Sequence, residues 1–180
     1  QAMKLETERL FLREMTSDDF DALYAVLADS DIMQHYPYAF DEARVRNWIN
    51  KNRERYRVFG FGLWAVHLRA TGELLGDCGI TMQQIHGQRL PEIGFHMKKS
   101  VWGQGYATEA AKACLAWGMQ QTDFPAFYCY QKSTNLPSRR VAEKLGMTLQ
   151  EMYADLVNAF TSVYAITRVK FFAKVQNDLQ

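Results

Sequence analysis

Val101-Trp102-Gly103-Gln104-Gly105-Tyr106-Ala107-Thr108-Glu109 joins an alternating apolar run, Glu92-Ile93-Gly94-Phe95-His96-Met97, to an alanine-rich segment from Ala107 to Met119. The order predicts a strand, a tight glycine loop and a helix. A helix that starts this way leaves its first backbone N–H groups without intrahelical partners. Those groups and the helix dipole together make a site suited to phosphate. Glycine adds φ > 0 and lets a ligand approach the main chain. The expectation is a phosphate-bearing cofactor bound by the backbone of Gly103, Gln104, Gly105, Tyr106, Ala107 and Thr108. An ordinary strand-to-helix turn that binds nothing stands beside it, because a bare G-x-G is a short motif.

The 180 residues suit one domain, 1–180, with a substantial core. A net charge of +1 gives no field to attract nucleic acid or an anionic membrane, so neither partner is expected. No apolar run approaches the roughly 20 residues of a membrane span. Near the start of the chain there is no basic segment followed by an apolar core, and cytoplasmic location is the expectation. Cys78, Cys114 and Cys129 are odd in number and form no C-x-x-C, which suggests neither a disulfide framework nor a metal site.

Outward from the loop, Arg9–Met15 alternates as a half-buried strand does. Thr16-Ser17-Asp18-Asp19 offers helix-capping residues, and Phe20, Leu23, Tyr24 and Leu27 follow at helical spacing. Residues 29–40 read as a loop carrying His35, Tyr36, Tyr38 and Phe40, either as local packing or as a wall of a substrate pocket. Asp41 caps a second helix, 42–57, with Val45, Trp48, Ile49, Asn52 and Tyr56 inward and an arginine-rich outer face. Residues 62–67 and 73–82 are strands about a turn at 70–73. Residues 124–131 form another strand, 136–145 a short helix with Gly146 just past its end, and 151–156 and 162–174 closing strands. The sum is one mixed α/β domain with a mostly antiparallel sheet flanked by helices.

Three stretches together resemble the GNAT superfamily of acetyl-CoA-dependent N-acetyltransferases, in the branch of the ribosomal-protein N-terminal acetyltransferases. They are Glu92–Phe95 through Trp102–Ala110, the run Asn135-Leu136-Pro137-Ser138-Arg139-Arg140-Val141-Ala142-Glu143-Lys144-Leu145-Gly146-Met147, and the opening strand with its capped helix. The likeness runs from Glu6 to about Phe171, with residues 7–172 as the core. It implies a twisted sheet with a splayed central strand that binds coenzyme A. Gly103, Gly105 and Ala107 match the family loop, with Trp102 at the usual Gln/Arg position. The implied role is N–H donation to the pyrophosphate. By the same resemblance, Phe95 and Met97 pair through their main chain with the pantetheine arm. Lys98 and Lys99 lie near the phosphates, or else are solvated charge at a strand end. Asn135 and Ser138 match the family's Asn-x-x-Ser near the thiol. Asn135 also reads as a helix N-cap, and Ser138 as a first-turn serine.

Acetyl transfer to an amine needs a proton acceptor for nitrogen, an N–H donor for the thioester oxygen and a proton for the departing thiol. Glu92 is the foremost base candidate, with Asp77 and His96 behind it. Met97 N–H is the candidate donor, and Ser138 the candidate acid. Alternation points the His96 side chain away from those of Phe95 and Met97. Two departures stand out. Ala142 occupies the position where many members carry a tyrosine, which moves the acid role to Ser138, a distant Tyr130 or water. Ser162 stands where the branch often has aspartate. The expected function is acetyl transfer from acetyl-CoA to a primary amine, either a protein N-terminus or a small molecule, by a monomer or homodimer with no metal. A non-catalytic coenzyme A-binding module is the alternative. A nicotinamide-dependent dehydrogenase fits poorly, because the third glycine and an opening βαβ unit are both missing.

Overall fold

The computed structural model describes residues 3–179, the side chain of Met3 excepted. Residues 1, 2 and 180 of the expected single domain lie outside the described residues. The chain forms two compact units. The first holds the chain up to Thr81 together with Gly94–Cys114, and the second holds Met82–Ile93 together with the chain from Leu115. The pattern is mixed α/β and mostly antiparallel, as expected.

In the first unit, β1 (Met3–Glu6), β2 (Leu10–Arg13), β3 (Leu63–Leu68) and the first part of β4 (Leu74–Ile85) pair antiparallel in that order. β1 was not anticipated. Leu10 and Leu12 of β2, with Trp64 and Val66 of β3, are wholly buried. The turn Thr16–Asp19 is a capping box: Thr16 Oγ1 accepts from Asp18 N (3.3 Å), and Asp19 accepts from Thr16 N (2.8 Å). Arg13 grips the same Asp19 carboxylate with two bonds, 2.7 and 2.9 Å. That fixes the entry to α1 (Phe20–Leu27), which packs on α2 (Glu42–Phe59). Asp41 caps α2 through Arg44 N (2.9 Å). Asn52, fully buried on α2, accepts from Leu63 N (2.9 Å) and donates to Trp48 O (3.0 Å). Tyr56 Oη accepts from Met15 N (3.1 Å) and donates to Leu63 O. These bonds lock the inner face of α2 to the start of β3.

In the second unit, the rest of β4 turns at His86-Gly87 into β5 (Gln88–Met97). Here β5 runs parallel to β6 (Ala126–Lys132), with Glu92 opposite Tyr128. β6 pairs antiparallel with β8 (Ala159–Thr167), and β8 with β7 (Thr148–Asp155). α4 (Leu136–Lys144) starts at the Asn135 cap and ends before Gly146, whose φ is 85°. α3 (Tyr106–Gln121) begins in the first unit and finishes in the second. Among the described residues, no helix is long and apolar enough to cross a membrane.

The expected last strand, 162–174, is corrected by the structure. β8 stops at Thr167, and α5 (Arg168–Asp178) takes the remainder. Thr167 Oγ1 accepts from Lys170 N (3.2 Å), an N-cap that ends the strand. Arg168 is also tied down, by its N–H to Pro125 O (2.8 Å) and by Nη1 to Met119 O (2.7 Å). Val169, Phe172, Val175 and Leu179 then recur every three or four residues, a helical spacing within a segment whose composition alone also suits a strand.

One close approach is decisive for β3 and β4. A Cβ built on Gly79 would stand 1.9 Å from the Gly62 carbonyl oxygen and 2.9 Å from Leu63 Cα. Backbone cannot yield as a side-chain tip does. Gly79→Ala is expected to cost about 3 kcal/mol, seen as a fall in Tm of roughly 6–12 °C for a chain of this size. An unchanged Tm in thermal unfolding would contradict the packing described.

Candidate active site

The glycine loop lies in the first unit. Gly103 and Gly105 have φ of 81° and 84°, a region that penalises every residue with a Cβ. The first helical bond of α3 runs from Glu109 N to Gly105 O (3.0 Å). The N–H groups of Tyr106, Ala107 and Thr108 precede it and have no intrahelical partner. A Cβ on Gly103 would meet nothing within 4 Å, and one on Gly105 would meet Arg9 Nη2 at 3.4 Å. Trp102 anchors the loop by donating from Nε1 to Met97 O (2.8 Å).

A clamp absent from the sequence reading holds the loop from below. Glu109, in the first turn of α3, accepts from Thr7 Oγ1 (2.6 Å), Arg9 N (2.9 Å) and Arg9 Nε (2.7 Å). Burial alone would raise the Glu109 pKa, but these three bonds outweigh it and hold the carboxyl below its ordinary range. Arg9 Nη1 also donates to Gln104 O (3.0 Å), and the guanidinium lies 4.3 Å from the Tyr106 ring centroid. An arginine and a glutamate some hundred residues apart leave no local pattern that sequence alone would link.

At the end of β5, Lys98 N donates to Leu75 O of β4 (2.8 Å). Backbone groups alternate sides along a strand, so those of Phe95 and Met97 point away from β4. Lys98 pairs with Glu73 (2.7 Å) and Lys99 with Asp31. His96 Nδ1 lies 2.8 Å from Asp77 Oδ1, and Trp48 Nε1 donates to the other oxygen of the same carboxylate at 3.0 Å.

The second unit carries Glu92, Asn135 and Ser138. Glu92 is half-buried, and desolvation of its carboxyl pushes its pKa up to about 8 against a weak opposing bond from Tyr130 N (3.4 Å). Burial and then the nearby Glu92 raise the Tyr130 phenol as well, and its hydroxyl donates to Gln83 Oε1 at 3.3 Å. Asn135 Oδ1 accepts from Ser138 N (3.3 Å), so Asn135 is the N-cap of α4. Ser138 Oγ accepts from Gln131 Nε2 (3.2 Å), and Gln131 Oε1 accepts from Ser162 Oγ (2.6 Å). With one Ser138 lone pair engaged by the amide, its O–H is oriented to donate elsewhere. Neither Gln131 nor the link to Ser162 was anticipated. Ala142 is fully buried, and all three cysteines are buried.

The family description "Acetyltransferase (GNAT) domain" matches residues 9–148, and the chain belongs to this family of acetyltransferases. It is 41% identical over 145 residues to the Bacillus subtilis protein YkkB, covering 80% of this chain and 84% of that one. Among solved structures, a GNAT-family acetyltransferase from Bacillus anthracis superposes with a TM-score of 0.78 at 28% identity, over 93% of this chain and 99% of that one. RimL, a ribosomal L7/L12 α-N-protein acetyltransferase solved with coenzyme A, shares the fold at a TM-score of 0.75 and 18% identity, over 92% and 98% of the two chains.

The raised Glu92 pKa has a stability consequence. The folded state holds the proton up to about pH 8, whereas an unfolded glutamate loses it near 4.5. Stability from this group is therefore complete below the unfolded pKa and lost as pH rises towards 8. Glu92→Gln removes the loss. Its advantage over the parent protein should grow between pH 5 and 8 in urea unfolding, and a difference independent of pH would contradict the desolvated carboxyl.

Proposed function

We propose that this acetyltransferase moves the acetyl group of acetyl-CoA to a primary amine by direct attack, with the donor and acceptor bound together. The observation that carries the reading is the loop at Gly103–Thr108: two glycines at positive φ followed by three helix-terminal N–H groups. This set fits a pyrophosphate, and RimL with its bound coenzyme A supplies the fold-level precedent. Gly103, Gln104, Gly105, Tyr106, Ala107 and Thr108 hold the phosphates. Phe95 and Met97 offer main-chain groups to the pantetheine arm, and Lys98 adds positive charge partly offset by Glu73. When bound, acetyl-CoA supplies the activated acetyl thioester.

The chain's own part is proton handling and charge stabilisation. Glu92 accepts a proton from nitrogen, directly or through water. Met97 N–H faces the thioester oxygen. Ser138, oriented by Gln131, gives a hydrogen bond to the departing sulfur, a role that buried Ala142 cannot fill. No covalent enzyme intermediate is involved, so the buried cysteines have no part. A protein N-terminus and a small-molecule amine are the two acceptor classes.

Thiol release from acetyl-CoA across an amine panel tests the reaction. Gly105→Val is expected to weaken acetyl-CoA binding at least about tenfold, equivalent to about 1.4 kcal/mol, and unchanged affinity in the folded variant refutes the loop assignment. Glu92→Gln should lower kcat by roughly 10²-fold or more with acetyl-CoA affinity kept. Because a base must be ionised, the parent rate should climb as pH passes about 8, and the variant should lack that rise. Ser138→Ala should lower kcat without changing affinity.

A further inference from the structure

Asp77 in β4 has no exposed surface, and its carboxylate meets the Trp48 indole N–H and His96 Nδ1. The proton between Asp77 and His96 belongs on Nδ1, since an ionised carboxylate only accepts. That fixes the neutral ring as the tautomer whose Nε2 carries a lone pair. The His96 side chain keeps 16% exposure, enough to exchange protons with solvent. Rings crowd it on the other sides: Trp48 lies edge-on at 5.2 Å and Tyr36 at 6.2 Å, with Phe40 packed against both. The ionisable groups facing the pair include Tyr36 from the loop and, from α2, Arg55, whose guanidinium interacts electrostatically with Tyr36 and Asp77, and Tyr56, which interacts with Asp77. A wholly buried carboxylate is costly for a fold to retain. Its placement behind a solvent-touching imidazole makes a built proton acceptor.

We propose that His96, positioned by Asp77 and through it by Trp48, removes the first proton from an acceptor amine that arrives as an ammonium ion. The inference rests on the acetyl-transfer reading above. The amine nitrogen must lose two protons in one turnover. His96 Nε2 takes one from the ammonium, leaving a neutral amine whose lone pair forms the C–N bond, and the imidazolium returns that proton to solvent. The second proton leaves nitrogen as the C–N bond forms and the C–S bond breaks. The departing sulfur takes up that second proton, so one proton ends on the thiol and one in water.

Three measurements test it. Nitrogen-15 NMR of histidine-labelled parent protein should show His96 with its proton on Nδ1, and Asp77→Asn should shift it to Nε2; a proton on Nε2 in the parent protein overturns the proposal without any appeal to activity. His96→Ala and the bulk-preserving His96→Gln should each lower kcat/KM by roughly 10²-fold, with acetyl-CoA affinity within twofold of the parent. Added imidazole should restore part of the His96→Ala rate. An active parent protein whose two His96 variants match its rate overturns this proposal alone. A parent protein that binds acetyl-CoA and releases no thiol with any amine overturns the acetyl-transfer reading and this one with it.

Discussion

The demand that organises the first unit is the solvation of one carboxylate. Asp77 sits in β4 with no water contact, so its oxygens must be satisfied by protein. The two donors come from different places, Trp48 on α2 and His96 on β5. Meeting the demand therefore fixes the rotation of α2 about its axis and the face of β5 on which residue 96 lies. Tyr36, Tyr38 and Phe40 then build outward from these two rings. Arg13 and Asp19 do comparable work at the start of α1, but there both partners carry charge and lie six residues apart. The Asp77 arrangement spans three elements, β4, α2 and β5.

The glycine loop obeys a different economy of charge. The cation nearest it, Arg9, is already paired with Glu109, and Lys98 and Lys99 are paired with Glu73 and Asp31. In the role proposed for the loop, attraction for an anion would thus rest mainly on oriented backbone N–H groups and the α3 dipole. Such groups are fixed by the fold and need no side-chain ordering when a ligand arrives. The Arg9–Glu109 pair has a mechanical role instead: it ties the first turn of α3 to the chain before β2 and so holds those N–H groups in direction.

What could be read from sequence followed local rules. Thr16, Asp41 and Asn135 cap helices because a short polar side chain reaches a backbone N–H two or three residues on. The two loop glycines likewise announced positive φ. The failures lie where the deciding contact is distant. α5 was read as strand because its apolar residues suit either period, and the Thr167 cap with Arg168 bound to Pro125 and Met119 decides it. For the site, the family resemblance brings out Glu92 and Ser138 as candidates. The raised pKa of Glu92 comes from desolvation, which no motif encodes. Asp77 and His96 both stand out as secondary base candidates, but their pairing across 19 residues and two neighbouring strands leaves no pattern in the sequence.

Ser162 illustrates how a departure from the family pattern alters a neighbour. Its hydroxyl is fully buried and donates to Gln131 Oε1. That bond turns the Gln131 amide so that its NH₂ end faces Ser138. An aspartate at 162 has no proton to give when ionised, and it would draw the NH₂ end of Gln131 towards itself. The carbonyl end would then face Ser138 and capture the very O–H that a departing sulfur needs. With Ala142 unable to donate, serine at 162 is the choice that leaves Ser138 as a donor. On the role proposed for Ser138 the two departures are coupled: without the tyrosine the departing sulfur would depend on Ser138, and Ser162, acting through one amide, keeps that proton available.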